Sequence, residues 1–408
     1  MSESPLIKKD TVSSDSSELK LLKNEHLPVL EQLVDSSRKL NQAANQLIDR
    51  IQPASQTIPV FIAGTGAVGG TLIKLISELE ITVDCNIKIV GACNSSHYIW
   101  NEQGLPPAEL TKQIKKGEKT DWNLILNKLT NYAPGRLIFV DATGSEEVAR
   151  RYPTILESSI NIATPSKLAN TFEQDFYEQL QQISRSQEVE FLYEPTVGAG
   201  LPILSTINGL LTTGDAIKEI SGVASGTMTY LFNELEAGTP FSKAVKKARK
   251  LGYAEPDPRD DLSGEDVARK FLTLARTIGL KVERSELDIQ TLVPEHLISV
   301  DKETFLDELS EVDKYWKSQI EEAKQRNETL RYVGKLTNHD ISVGIESVPV
   351  DSPLGRLSGT DNLFQIFTKR YSNSPIVIQG PGAGKEVTAA GVLADILNIA
   401  KKIIVSKH

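Results

Sequence analysis

The sequence predicts an α/β fold: a parallel sheet wound with helices in the first half, a mixed α+β region in the second, and an apolar closing helix. Three observations carry this. From Ile58 the chain alternates β-branched runs with helical stretches, the pattern of strands paired in parallel through crossover helices. Past residue 215, LRYVGKLT and ISVGIESVP flank the turn-like Asn338-His339-Asp340, which predicts a hairpin and therefore antiparallel pairing. Near the C-terminus VTAAGVLADILNIAKKII reads as one apolar helix.

Residues 1–24 are polar and read as disordered. Leu30, Leu33, Ser37, Leu40, Ala44, Leu47 and Ile51 then recur three and four residues apart until Pro53. That spacing predicts an amphipathic helix, lying on its own domain or making a short coiled-coil contact between subunits. IPVFIAG reads as a strand buried on both faces, TLIKLISELE as a helix and NIKIVGACN as a second strand. A polar, helix-rich stretch over 101–133 leads to three more strands, RLIFVDATG, INIAT and VEFLYE. IKEISGVASG, the hairpin pair, IFTKRY and PIVIQG are the strands of the second region, with helices over 227–236, 241–250, 264–279 and 302–325.

The 408-residue chain carries a net charge of −9, which argues against nucleic acid or an anionic membrane as partner. No apolar run approaches the roughly 20 residues of a membrane span. The N-terminus lacks an apolar core and carries acids, so it resembles neither a signal nor a transit peptide. Cys85 and Cys93 make neither a disulfide framework nor a CxxC site, and a reducing cytoplasm is expected. The five histidines are scattered without metal-ligand spacing, which disfavours zinc.

Gly64-Thr65-Gly66-Ala67-Val68-Gly69 fits GxGxxG between a buried strand and a helix. Gly64 permits the tight turn, Gly66 removes a Cβ where a pyrophosphate approaches, and Gly69 lets strand and helix pack closely. The helix start adds free N–H donors. This predicts a Rossmann-type, dinucleotide-binding sheet. An NAD site usually has an acid at the end of the second strand; here that strand ends Cys93-Asn94-Ser95-Ser96, and Asp84 precedes it. The missing carboxylate leaves room for a 2′-phosphate, although no Arg stands beside it in sequence. NADP(H) is favoured, with NAD(H) tolerated.

Between Gly252 and Lys270 the chain reads GYAEPDPRDDLSGEDVARK. Carboxylates there suit the ammonium of a small amino acid, and Lys270 can donate a proton. Bland roles compete: Ser263 with Asp266 approaches a capping box, and Glu255 and Asp257 could be solvated loop acids. Lys270 falls on the flank of the stripe Val267, Phe271, Leu274 and Ile278, one turn beyond Asp266. Partial burial beside carboxylates can poise it as an acid, or it can merely snorkel.

The loop resembles the signature of the homoserine dehydrogenase family, in Ala248, Gly252-Tyr253-Ala254, Asp257-Pro258, Asp261-Leu262, Gly264, Asp266 and Lys270. GTGAVGG, VDATGS, NIATPSKLAN, YEPTVGAGLPI, SGVASGTMTYLFN and GPGAGKEVTAAGVLADIL agree in order, so the resemblance covers residues 58–405. It is most similar to the dehydrogenase half of bifunctional aspartokinase–homoserine dehydrogenases, without a kinase or a C-terminal regulatory domain, so threonine feedback through such a domain is not expected.

The resemblance implies reversible NAD(P)H-dependent reduction of L-aspartate 4-semialdehyde to L-homoserine, on the route to threonine and methionine. It implies Lys270 as proton donor, with Lys167 beside nicotinamide and substrate. Glu255 and Asp266 would bind the amino-acid end, and Asp261 would shape that pocket. Thr143, Gly252 and Gly384 match cofactor-lining positions, while Glu194, Val197, Ala199 and Leu201 match a loop holding Na⁺. A homodimer or higher homo-oligomer is expected. Ser166 stands where the family usually has Asn, and Gly144 where bifunctional relatives often have Ser; both bear on cofactor affinity.

The implied organisation is an N-terminal extension (1–56), a dinucleotide-binding domain (57–204), an α+β substrate-binding and dimerisation domain (205–380), and a C-terminal helix (381–408) returning to the first sheet. Two rivals remain. Aspartate-semialdehyde dehydrogenase chemistry needs a thiolate, and neither Cys85 nor Cys93 is well placed for one. A non-catalytic dinucleotide sensor or pseudoenzyme would not need Lys167, Glu255, Asp266 and Lys270 together.

Overall fold

The computed structural model describes residues 56–79, 85–337 and 340–405. The run from Leu30 to Ile51 lies outside the described residues, as do Asp84, Asn338 and His339. The chain divides after Gln56 into two units, and the architecture below is that of the second.

Seven strands form the first sheet: β1 (Gln56–Ala63), β2 (Cys85–Cys93), β3 (His97–Trp100), β4 (Glu118–Lys119), β5 (Ile138–Asp141), β6 (Asn161–Ala163) and β7 (Phe191–Leu192). Their order is β4-β3-β2-β1-β5-β6-β7. β1, β5, β6 and β7 run parallel, with Val60 opposite Ile138 and Ile138 opposite Asn161. Ile58, Val60, Phe61, Ile62 and Ala63 are fully buried, because helices cover both faces of a central parallel strand. The stretch over 101–133 holds the expected helices, Pro107–Gln113 and Trp122–Thr130. However, β3 just before it and β4 within it are unexpected, and they extend the sheet antiparallel beyond β2. These strands are too short for alternation to show, and one side-chain bond, Tyr98 Oη to Glu118 at 2.9 Å, ties them together.

The second sheet holds β8 (Ile217–Val223), β9 (Asp288–Ile289), β10 (Glu328–Thr337), β11 (Ile341–Pro349), β12 (Asp361–Thr368) and β13 (Ile376–Pro381). Their order is β13-β12-β8-β10-β11-β9. β10 and β11 form the expected antiparallel hairpin, with Leu336 opposite Ile341. Two expectations shift. The strand placed at IFTKRY spans Asp361–Thr368, where buried Asn362 and Gln365 hide the strand pattern. The helix expected over 302–325 is two helices, Lys302–Glu308 and Asp313–Gln325. Asp313 sits at the break and accepts bonds from Ser242 N (2.7 Å) and Oγ (2.8 Å).

Two helices set the position of the site. The closing helix, Lys385–Val405, buries Ala389, Val392, Ile396 and Ile399 in one core with Leu72, Ile73, Val60 and Ile62. It therefore returns to the first sheet. The helix Glu265–Thr277, here the site helix, is pinned by buried Arg276, which donates to the carbonyls of Asn170 (2.8 Å) and Phe172 (2.7 Å) just after β6.

Candidate active site

The glycine loop leaves β1 with Gly64 at φ +92°. A Cβ on Gly64 would lie 2.6 Å from the Ala142 carbonyl group, and one on Gly69 would lie 1.8 Å from Gly64 O. A Cβ on Gly66 would meet nothing within 4 Å. Only this middle glycine keeps open space, where a ligand can approach. The following helix, Ala67–Glu78, has no side-chain cap, so its first amides remain available to an anion. This chemistry fits a dinucleotide pyrophosphate. Gly64 and Gly66 line a cavity of about 800 Å³ that also touches Asn94, Ser95, Thr143 and Arg151; Ala67, Val68 and Gly69 form the first helical turn behind it.

Thr143 is held by buried Asp141, which accepts from its amide (2.8 Å) and Oγ1 (2.6 Å) and from Tyr152 Oη (2.7 Å). Burial raises the Asp141 pKa, and these bonds oppose it. Cys93 lines the same cavity, but burial pushes its thiol up to about 12. It is a poor nucleophile.

A second cavity, of about 620 Å³, gathers Lys167, Glu255, Asp261, Asp266, Lys270 and Gly384. Asp266 bridges both lysines, with Oδ2 at 2.8 Å from Lys270 Nζ and Oδ1 at 3.2 Å from Lys167 Nζ. Lys270 is only 7% exposed and donates to Ala224 O at 2.7 Å. The end of β8 thereby fixes the ammonium at the cavity wall. Burial alone would raise the Asp266 pKa, but Lys270 and Lys167 outweigh it and hold the carboxyl well below the usual range. Burial lowers the Lys167 pKa, with Lys270 adding to the effect and Asp266 opposing it.

Asp261 organises the loop, accepting from Thr227 Oγ1 (2.9 Å) and Glu255 N (2.8 Å); burial raises its pKa. The exposed Glu255 carboxylate takes no hydrogen-bond partner among the described residues. Asp257 pairs with Arg259 at 2.6 Å and shapes the loop. The capping box suggested for Ser263 and Asp266 does not form. Gly264, at φ +77°, is the N-cap, and Asp266 turns to the lysines instead. Gly252 lines neither cavity; at φ +75° it ends the helix Phe241–Leu251, a left-handed position glycine fills without strain.

In the Glu194–Leu201 loop, Ala199 lines the lysine cavity, and both Ala199 (φ 52°) and Gly198 (φ 76°) are left-handed. The Glu194 carboxylate accepts from Leu204 N (2.8 Å) and Ser205 N (2.7 Å), so it caps the helix Ile203–Thr212. Burial raises its pKa against those amides. The Val197 and Ala199 carbonyls accept no hydrogen bond among those described and are the hard oxygens a monovalent cation prefers; Leu201 lies outside the cavity lining. Among the described residues no group of three or more His, Cys, Asp or Glu gathers for a metal. Sequence reading missed Ala224, Thr227, Arg151 and Asp395. Asp395 receives Glu194 N at 3.0 Å, and burial pushes its carboxyl up to about 8. The apolar periodicity of the closing helix gave it no signal.

Residues 64–194 match the family description "Homoserine dehydrogenase, NAD binding domain", and residues 202–397 match "Homoserine dehydrogenase". The homoserine dehydrogenase of Saccharomyces cerevisiae is 38% identical over 364 residues, covering 86% of this chain and 100% of that one. A chloroplastic bifunctional aspartokinase/homoserine dehydrogenase of Zea mays is 39% identical over 353 residues, covering 84% of this chain but 38% of that relative. The chain thus spans about two fifths of the length of such bifunctional relatives. A Candida auris crystal structure of unknown function superposes with a TM-score of 0.79 at 35% identity, covering 86% of this chain and 99% of that one. A hyperthermophilic archaeal homoserine dehydrogenase in complex with NADPH shares the fold, with a TM-score of 0.66 at 24% identity and coverage of 85% and 98%. With its glycine loop, paired lysines and full-length match to the yeast enzyme, this chain belongs to the homoserine dehydrogenase family.

Proposed function

We propose that the chain catalyses the reversible NAD(P)H-dependent reduction of L-aspartate 4-semialdehyde to L-homoserine. The observation that carries this is Asp266 bridging Lys167 and Lys270 in one cavity. A nicotinamide cofactor supplies the hydride when bound. The protein must then stabilise the oxygen that gains charge and give it a proton. Lys270, held by Ala224 O and Asp266, donates that proton. Lys167 adds a second cation beside the oxygen. Glu255, which lines the cavity, and Asp266 take the substrate ammonium, while Asp261 fixes the loop bearing Glu255. Oxidation of NADPH by the purified protein with L-aspartate 4-semialdehyde tests this. A four-carbon aldehyde lacking the amine should react far more slowly; equal rates would contradict the ammonium site.

Gly64, Gly66 and Thr143 line the dinucleotide site, backed by Ala67, Val68 and Gly69, with Gly384 near the reacting end. NADP(H) is preferred because β2 ends without an acid. The division into extension, dinucleotide-binding, substrate-binding and closing segments accords with two sheets of distinct topology. A homodimer or higher homo-oligomer is supported by the half-exposed edge strand β13. No described helix is long and apolar enough to cross a membrane, and two buried thiols suit a reducing cytoplasm.

Two measurements follow. Burial depresses the Lys167 pKa, so as pH rises this ammonium loses its proton before an ordinary lysine, at about 10.4, would. The rate of aldehyde reduction should therefore fall on the alkaline side beneath that value. Lys167→Arg, which stays charged, should carry the limb to higher pH; an unmoved limb would refute the assignment. Na⁺ is proposed at the Glu194–Leu201 loop, on the Val197 and Ala199 carbonyls. NaCl should then raise the Tm above that in choline chloride at equal ionic strength, and equal Tm values would remove the ion.

A further inference from the structure

Arg150 and Arg151 are neighbours with different surroundings. Arg150 turns outward, pairing with Glu173 at 2.8 Å and lying 3.8 Å from the centroid of Phe172. Arg151 turns to the dinucleotide cavity, where it is the one basic residue among the described lining residues. Its guanidinium lies 5.6 Å from the Trp122 ring centroid, a contact that orients the planar group. Its Nε is buried without a hydrogen-bond partner.

The acids of that cavity leave this cation available. Asp121 is spent on the amides of Asn123 (2.8 Å) and Leu124 (3.3 Å), capping the helix Trp122–Thr130. Glu147 bonds one terminal nitrogen of Arg151 at 2.9 Å, but its side chain is 65% exposed, and exposed pairs of this kind contribute little. Asn94 and Ser95, just past the end of β2, line the same cavity and bring no carboxylate to repel an anion. A dinucleotide whose pyrophosphate crosses Gly66 extends its adenosine end into this space.

We propose that Arg151 determines cofactor choice by receiving the 2′-phosphate of NADP(H), with Asn94 and Ser95 as uncharged residues lining the same cavity. The inference deepens the preference for NADP(H) stated above and rests on it. The guanidinium comes from a loop beyond β5 rather than from the end of β2, where such a clamp is usually sought. A planar fork suits phosphate better than a point charge does.

Calorimetric titration of the full chain with adenosine 2′,5′-bisphosphate and with AMP tests it, alongside NADPH and NADH binding followed by nicotinamide fluorescence. Arg151→Ala should weaken both 2′-phosphorylated ligands by about 10- to 100-fold, the loss of a charge-assisted bond, and leave AMP and NADH unchanged. Arg151→Lys should recover part of the preference. Equal weakening of all four ligands would make Arg151 a general support of the cavity and overturn the clamp. Wild-type preference for NADPH that survives in Arg151→Ala would overturn the clamp alone. Wild-type protein that binds NADH as tightly as NADPH would overturn the cofactor preference and the clamp together.

Discussion

Replacing Lys270 by alanine is expected to reduce turnover by at least about 10²- to 10⁴-fold, the scale of a lost general acid, while NADPH binding stays intact. The expectation rests on position. Lys270 is buried, bonded to Ala224 O at 2.7 Å and to Asp266 at 2.8 Å, and lies in a cavity that the glycine loop does not line. Its removal leaves Asp266 paired with Lys167, and the loop keeps its Asp261 bonds. Steady-state rates in both directions, with NADPH affinity measured separately, read the two effects apart. Near-normal turnover would refute the proton-donor role, and lost NADPH binding would mark a structural failure.

The second large effect is expected in the glycine loop, where two substitutions of the same size should fail differently. Gly69→Ala puts a Cβ 1.8 Å from Gly64 O, a backbone atom that moves only with the turn itself. Overpacking of this kind costs about 1–3 kcal/mol or more, so both the Tm and NADPH affinity should drop. Gly66→Ala meets nothing within 4 Å. It should keep the wild-type Tm yet lose NADPH affinity, because the methyl occupies the space left for pyrophosphate. Thermal unfolding and NADPH titration of both variants check this. A Gly66→Ala protein that binds NADPH normally would contradict the assigned path of the dinucleotide.

The first sheet was legible because its central strands are continuous β-branched runs with a glycine turn behind the first. β3 and β4 were not, since short edge strands carry no periodicity and depend on contacts such as Tyr98 with Glu118. Buried Asn362 and Gln365 masked β12 for a related reason: a polar residue paired or packed inside a sheet looks like surface in sequence. At the site, the family-like loop and Lys167 were readable as residue types at fixed spacing. Their partnership was not, because Lys167 and Asp266 come from different sheets' connections and meet only in the fold. The local pattern at Ser263 and Asp266 pointed to a capping box, and the tertiary ion pairs prevailed. Arg151 escaped notice because it sits far along the chain from the end of β2, with whose following residues it shares a cavity only in the fold.

The central claim is that a dinucleotide site and a two-lysine site act together on one small amino acid. Mixing the purified full chain with L-homoserine and NADP⁺, and following the absorbance of reduced nicotinamide, tests it most directly. A homoserine-dependent rise that disappears in Lys270→Ala is the expected result. Retained nucleotide binding with no homoserine-dependent rise would contradict the claim and leave a dinucleotide-binding sensor in its place.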